Sequence, residues 1–408
     1  MSMKYTAQTR KILFLSDNNR YLEHNLYCQL SLEIGNRADT IYFQCDYSSD
    51  IAYPKSESKD YSEKWASFGG IEVLSPISLD MSKLKGYFSK LKRIIRNYRS
   101  IYQWKDEFLR TIDRLKPDLV VLISCNGINA RLLARFRPEI RRAYIQPATL
   151  RRRYSDQYSV LETIQNFIFN VILKLPIRSV KETFFDHYGG MDLFLWSKLW
   201  MEHYKPREDS KYFYLGAPQY DFAFKAFSAR RREHKDRAVI GIVLNKESFI
   251  GVDEWKVFSE IYTKLISSNP QFDFVIKPHP RTEPELIREF FSDNVVTDDQ
   301  LDLTEIDVVI SYWSTLIFEY MASGVPCILL NPDGRYDLSY RFLGHYSAVA
   351  HDEIGLLELI QKYKDPFSEE FQHIRKQFIS KTLTFDDGVS TKRVSRALLD
   401  LAKSENLN

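Results

Sequence analysis

From Phe272 to Pro284 the chain reads FDFVIKPHPRTEP, and the class of the molecule follows from how those residues must behave. Phe272 to Lys277 is a short, largely apolar run that reads as a strand. Pro278 and Pro280 then fix the backbone on either side of His279, so the strand ends in a stiff turn. Glu283 to Ser292 follows with helical spacing. A strand, a tight turn and a helix form one half of a βαβ unit. In open parallel sheets the crevice beyond the carboxyl ends of the strands is where ligands bind.

The same alternation extends outward in both directions. Ala238–Leu244, Asp307–Ser311 and Cys327–Leu330 read as strands, and Asp253–Ser268 and Thr315–Ser323 as helices. Two or three helices follow, the last near Ser390–Ala402. In the other direction, Lys11–Ser16, Thr40–Cys45, Ile71–Leu74, Asp118–Ser124, Arg142–Gln146 and Asp192–Trp196 read as strands, with a helix over Tyr21–Gly35. Asp46–Gly70 reads as a long loop, and Lys205–Arg237 as a charged, loop-rich crossing. The expected fold is α/β, with two Rossmann-like domains whose parallel sheets face across a cleft and C-terminal helices packing back. The expected boundaries are residues 1–205, 206–385 and a terminal helix in 386–408.

A length of 408 residues agrees with two domains of roughly 150–200 residues. Hydrophobic residues at 44% and charged residues at 27% exclude a disordered chain, and a net charge of +3 gives no reason to invoke nucleic acid. Cys28, Cys45, Cys125 and Cys327 show neither CxxC nor metal-ligand spacing, so free thiols in a reducing cytoplasm are expected. The first ten residues lack an apolar signal core, and no window approaches a membrane span. Positive charge is concentrated over Lys83–Lys116, where Lys83, Lys85, Lys90, Lys92, Arg93, Arg96, Arg99, Lys105, Arg110, Arg114 and Lys116 face only Asp106, Glu107 and Asp113. That region reads either as a solvated amphipathic helix or as a contact for the anionic inner face of a membrane.

Three motifs carry chemistry. At the strand end, His279 is held between prolines with Lys277 and Arg281 beside it, a set suited to phosphate or to a developing anion. Alternatively, the His simply fills a loop. In DVVISYWSTLIFEYMASGVP (Asp307–Pro326), Ser314 and Thr315 stand where a helix starts, an anion-binding position as well as an ordinary capping one. Glu319 follows amid Leu316, Ile317, Phe318, Tyr320 and Met321, where a carboxylate needs a partner such as a ribose diol. In LGAPQYDF (Leu215–Phe222), Gly216 and Pro218 make a turn and Asp221 lies just beyond, as a capping or a catalytic residue.

Taken together, these motifs resemble GT-B glycosyltransferases of bacterial capsule, lipopolysaccharide and teichoic acid assembly, over roughly Gly216–Asp333. The pattern is close to capsule Kdo transferases, bacterial sialyltransferases and CDP-glycerol polyol-phosphate transferases. The last of these also carry a Gly-x-Pro-x-x-Asp segment similar to Gly216, Pro218 and Asp221. Where Kdo transferases present a Glu-Gly loop, this chain has Gln146, Pro147 and Ala148.

The resemblance implies a donor site made by Lys277, His279, Pro280, Arg281, Ser314, Thr315 and Glu319, with His279, Ser314 and Thr315 on phosphate and Glu319 on ribose. It implies no cofactor beyond a nucleotide-activated sugar as co-substrate, no obligatory metal, and a glycan or lipid-linked glycan acceptor. A cytidine donor is expected, first a CMP-activated ulosonic acid such as Kdo. The alternatives are CDP-polyol phosphotransfer, UDP-sugar transfer, nucleotide-sugar 2-epimerisation or a non-catalytic scaffold. Asp17, Asp221 and Glu162 are the candidate catalytic carboxylates, with Glu23, His24 and Asp156 as further options.

Overall fold

The computed structural model describes residues 9–15, 20–45, 67–74, 102–123, 128–147, 190–201, 208–230, 236–244, 252–279, 282, 284–291, 296–297, 304–312, 315–332 and 348–403. The chain divides into two compact units, Met1–Gln219 with Val389–Asn408, and Tyr220–Gly388. Each is built on one wholly parallel sheet.

In the first unit, β1 (Lys11–Leu15), β2 (Asp39–Gln44), β3 (Gly70–Val73), β4 (Leu119–Leu122), β5 (Arg142–Ile145), β6 (Asp192–Leu195) and β7 (Lys211–Tyr214) form a seven-stranded sheet in the order β3-β2-β1-β4-β5-β6-β7. The second holds β8 (Val239–Val243), β9 (Asp273–Lys277), β10 (Val296–Thr297), β11 (Val308–Ser311), β12 (Cys327–Leu330) and β13 (Ala348–Ala350), in the order β10-β9-β8-β11-β12-β13. Strand order reverses between β1 and β4 and again between β8 and β11, the topological switch points of a doubly wound sheet. The central strands are buried along their whole length, as a sheet covered on both faces requires.

The two units fasten their central strands by the same device. In the first, Lys11 N–H donates to Asp118 Oδ2 at 2.7 Å, and Asp118 N–H donates to the Lys11 carbonyl at 2.9 Å. In the second, Val239 N–H donates to Asp307 Oδ2 at 2.8 Å, and Asp307 N–H to the Val239 carbonyl at 2.9 Å. Each aspartate thus extends the ladder at the amino edge, satisfies a donor that β pairing leaves over, and sets which residues meet at the carboxyl edge.

The expected boundary after residue 205 lies too early. β7 runs parallel to β6, pairing Asp192 with Lys211 and Leu195 with Tyr214, so it closes the first sheet. Its sequence, KYFY, is too short and too flanked by charge to stand out. The chain passes to the second unit after Gln219 and returns at Val389 rather than 386. There the helix Ser390–Lys403 buries Val394, Leu398, Leu399, Leu401 and Ala402 in the core around Phe14, Tyr27 and Leu30. Ser395 Oγ donates to the Leu30 carbonyl at 3.3 Å and Arg141 Nη1 to the Leu401 carbonyl at 3.2 Å.

A helix over Asp221–Ala229 and strands β10 and β13 were also unforeseen. Of the basic stretch 83–116, residues 102–115 are helical, and 83–101 lie outside the described residues, as do 151–189. Cys28, Cys45 and Cys327 are buried free thiols, and Cys125 is not among the described residues. Among the described residues no helix is long and apolar enough to cross a membrane.

Leu398 is fully buried on the returning helix. Replacing it with Ala should destabilise the first unit by about 2–5 kcal/mol through lost burial and the cavity left behind. A urea titration following that unit's transition measures this loss.

Candidate functional site

Register assembles the site. Val243 of β8 pairs with Lys277 of β9 on one side and with Ser311 of β11 on the other. Ile242, Ile276 and Ile310, one position earlier on each strand, all lie in the core around Trp255, Phe258 and Tyr262. Side chains alternate along a strand, so Lys277 and Ser311 share the opposite face, level with each other at the carboxyl edge. Two inter-strand steps separate them, about 10 Å. The two strand tips singled out in the sequence therefore meet at one end of one sheet, astride its switch point.

Beyond Lys277 the chain continues in register. Leu244 N–H donates to the Lys277 carbonyl at 2.9 Å. The His279 carbonyl accepts from Thr282 N–H at 2.8 Å, closing the turn that the flanking prolines demand. His279 is partly buried; Pro280 and Arg281 lie outside the described residues.

On the other tip the helix spans Leu316–Ala322 and is capped by Thr315, whose side chain makes no capping hydrogen bond. It is shorter than the expected Thr315–Ser323, and Ser314 lies outside the described residues. Seven residues make only about two turns, ~10 Å. Its dipole is correspondingly slight.

Glu319 is not a surface residue. It is partly buried between Phe318 and Tyr320, which are almost wholly enclosed. Burial raises its carboxyl to about 7, and the nearby Lys277 ammonium pulls the other way without cancelling that rise. Lys277 and Glu319 thus act on each other across the two tips.

Tyr220, absent from the sequence expectations, completes the group. Its hydroxyl donates to the Thr315 carbonyl at 3.1 Å, and its ring stacks on Phe318 with centroids 6.4 Å apart. Burial, then the Glu319 charge, holds its hydroxyl well above the ordinary range. Its one sequence signal is its place in the turn beside Asp221. Ser311 was missed because it reads as the last residue of a strand. Its Oγ is enclosed and finds no hydrogen-bond partner among the described residues.

Asp221 is the first residue of the helix Asp221–Ala229 and is buried. A carboxylate there complements the helix amino end. Asp17, Asp156 and Glu162 lie outside the described residues; Glu23 and His24 belong to the helix Arg20–Ile34. Among the described residues no three His, Cys, Asp or Glu side chains are grouped to hold a metal.

Residues 263–400 match the family model described as CDP-Glycerol:Poly(glycerophosphate) glycerophosphotransferase, a span that includes Lys277, His279, Ser311, Thr315 and Glu319 but begins after Asp221. No curated protein matches the chain in sequence. Solved structures match it over nearly its whole length. The glycotransferase of kitacinnamycin superposes with TM-score 0.56 at 12% identity, covering 96% of this chain and 98% of its own. The glycosyltransferase VinC, in complex with dTDP, gives 0.54 at 14%, with 96% and 99% covered. UDP-GlcNAc 2-epimerase from Neisseria meningitidis, bound to UDP-GlcNAc, gives 0.53 at 14%, with 96% and 100% covered. With its two parallel-sheet units and these neighbours, the chain has the GT-B fold.

Glu319 also makes stability depend on pH. Its carboxyl keeps a proton up to about pH 7 in the folded state, against an ordinary 4.5 in the unfolded chain. Between those values the native state binds more protons, so stability falls as pH rises through the window. The loss is at most about 3 kcal/mol. Glu319→Gln should remove it. Urea unfolding of the second unit at pH 5 and pH 8 should show a smaller drop for the variant than for the wild type.

Proposed function

We propose that the chain is a transferase that takes a nucleotide-diphosphate donor on its second unit, and that the donor is a CDP-activated polyol. The juxtaposition of Lys277 and Ser311 on one face of the β9 and β11 tips, with Glu319 of the following helix within reach of the Lys277 charge, carries this reading. It offers a cation for phosphate, an enclosed hydroxyl, and a carboxyl poised near neutrality for sugar hydroxyls. The similarity of residues 263–400 to the CDP-glycerol glycerophosphotransferase model supports the cytidine and polyol parts.

In such a reaction an acceptor hydroxyl oxygen attacks the phosphorus that bears the polyol. A new P–O bond forms, the bridging P–O bond to the nucleotide phosphate breaks, and CMP departs. The acceptor's proton passes to a base, for which Asp17, Asp221 and Glu162 are the candidates. Lys277 and His279, at the strand tip, would offset the charge that accumulates on the leaving phosphate, with Arg281, Ser314 and Thr315 as further contacts and Pro280 stiffening the turn. Glu319 would meet the ribose. The acceptor would be a growing surface glycan, free or lipid-linked, and stretch 83–116 is the candidate for contact with the inner membrane face.

Glycosyl transfer from a nucleotide sugar is the second reading. It is favoured by full-length neighbours that are glycosyltransferases, one of them in complex with dTDP. The narrower expectation of a CMP-activated ulosonic acid such as Kdo finds no support in these comparisons, nor do a capsule or lipopolysaccharide product. The identity of the released nucleotide separates the readings: CMP for polyol-phosphate transfer from CDP-glycerol, a nucleoside diphosphate for glycosyl transfer from a diphosphate sugar.

A thermal-shift series with CMP, CDP, UDP and GDP should show selective stabilisation by the cytidine nucleotides, about 2.7 kcal/mol at one hundred times the dissociation constant. Stabilisation by UDP or GDP alone would refute the cytidine donor. His279→Ala should retain the wild-type melting temperature yet lose CMP release from CDP-glycerol by about 10²-fold or more. Wild-type turnover by that variant would remove His279 from the site.

A further inference from the structure

The short helix that carries Glu319 is fastened at its far end by an arginine from another part of the unit. Arg375, on the helix Glu369–Thr382, is only 4% exposed. Its Nε donates to the Met321 carbonyl at 2.9 Å and its Nη2 to the Ala322 carbonyl at 2.7 Å. The guanidinium lies 3.8 Å from the centroid of the Phe227 ring, a cation–π contact. Burial lowers its pKa to about 10, with Asp386 opposing, so it is still a cation at neutral pH.

Backbone N–H groups reach other carbonyls of that turn and share the one at Met321 with Arg375. Val325 N–H donates to the Tyr320 carbonyl and Gly324 N–H to Met321, at 2.8 and 3.2 Å, while Ser323 N–H reaches Glu319 at 2.9 Å. This is the left-handed helix end that glycine permits, and Gly324 has φ +78°. A Cβ on Gly324 would overlap the Phe227 ring, the ring on which Arg375 rests. Pro326, four residues on, has no N–H to offer the Ala322 carbonyl, and Arg375 supplies the donor. The opposite end of the helix is held by Tyr220 on the Thr315 carbonyl. Tyr220 and Phe227 belong to one continuous stretch that runs beside the helix from start to finish.

A seven-residue helix does not hold its own position through internal hydrogen bonds alone. A buried guanidinium spent on two backbone carbonyls, two and three residues beyond Glu319, is a costly arrangement for packing only, since an apolar side chain would fill the space without desolvation. We propose that Arg375 is a positioning residue of the donor site, fixing the Leu316–Ala322 helix from its carboxyl end so that Glu319 stays against Lys277. The inference rests on the donor-site reading given above.

The test compares Arg375→Met and Arg375→Lys with Leu356→Ala, a control in the Trp255 core of the same unit. Arg375→Met should raise the CDP dissociation constant and the KM for CDP-glycerol by about tenfold or more, with kcat changed less, as expected for losing charge-assisted hydrogen bonds. Arg375→Lys, which keeps the charge, should recover part of that affinity. Leu356→Ala should lower the melting temperature at least as far and leave the CDP dissociation constant within about twofold, because its cavity lies away from the site helix. A second readout needs no nucleotide: Arg375→Met should flatten the pH 5 to pH 8 loss of stability due to Glu319, and Leu356→Ala should not. If Arg375→Met behaves like Leu356→Ala in both measurements, the positioning role is refuted. Failure of the wild type to bind CDP, with the pH effect still abolished by Arg375→Met, would overturn the donor assignment and retain the positioning role.

Discussion

β8 pairs in parallel with β9 on one side and β11 on the other, and every feature of the candidate site depends on those two registers. Because side chains alternate along a strand, a slip of one residue in either ladder would turn Lys277 or Ser311 into the apolar layer of Trp255 and Phe258. The register is secured at the opposite end of the sheet. Asp307 bonds across to Val239 through both its side chain and its backbone, and the strands run outward from that clasp. Asp118 and Lys11 repeat the arrangement in the first unit, so both switch points are built from one local device. A structural requirement at the amino edge therefore determines what is presented at the carboxyl edge.

At that edge the electrostatics oppose one another. Glu319 is enclosed enough that desolvation outweighs the neighbouring ammonium of Lys277, so its carboxyl titrates near neutrality. A permanently ionised carboxylate would compete with phosphate for the lysine; a neutral one does not. The same enclosure raises the Tyr220 hydroxyl and keeps it a donor to the Thr315 carbonyl. A helix too short to rely on its own dipole is thereby placed by side chains from two other segments, Tyr220 with Phe227 and Arg375. The chemistry and the packing of the second unit are in this sense the same interactions.

Some of this was legible in the residues and some was not. The buried strands announced themselves, because Leu119–Leu122, Val308–Ile310 and Cys327–Leu330 are short, unbroken apolar runs. The Pro-His-Pro turn and the acid within an apolar helix were equally plain, as each violates local pattern in a way that a site explains. KYFY, Val296–Thr297 and Ala348–Ala350 were illegible, being edge or terminal strands too short for periodicity to register. Ser311 and Tyr220 looked ordinary because their significance lies in what stands opposite them.

By itself the sequence determined most of the buried strands, that they lie in parallel α/β layers, that His279 follows a strand end and that Glu319 lies within an apolar helix. Those properties come from spacing along a few consecutive residues. Only the tertiary structure decided that β7 belongs to the first sheet, that Lys277 and Ser311 share a face, and that Tyr220 and Arg375 bracket one helix. Tyr220 reaches a carbonyl 95 residues away and Arg375 carbonyls 53 and 54 residues away. No local pattern encodes such pairings, because they are selected by the packing of the completed core.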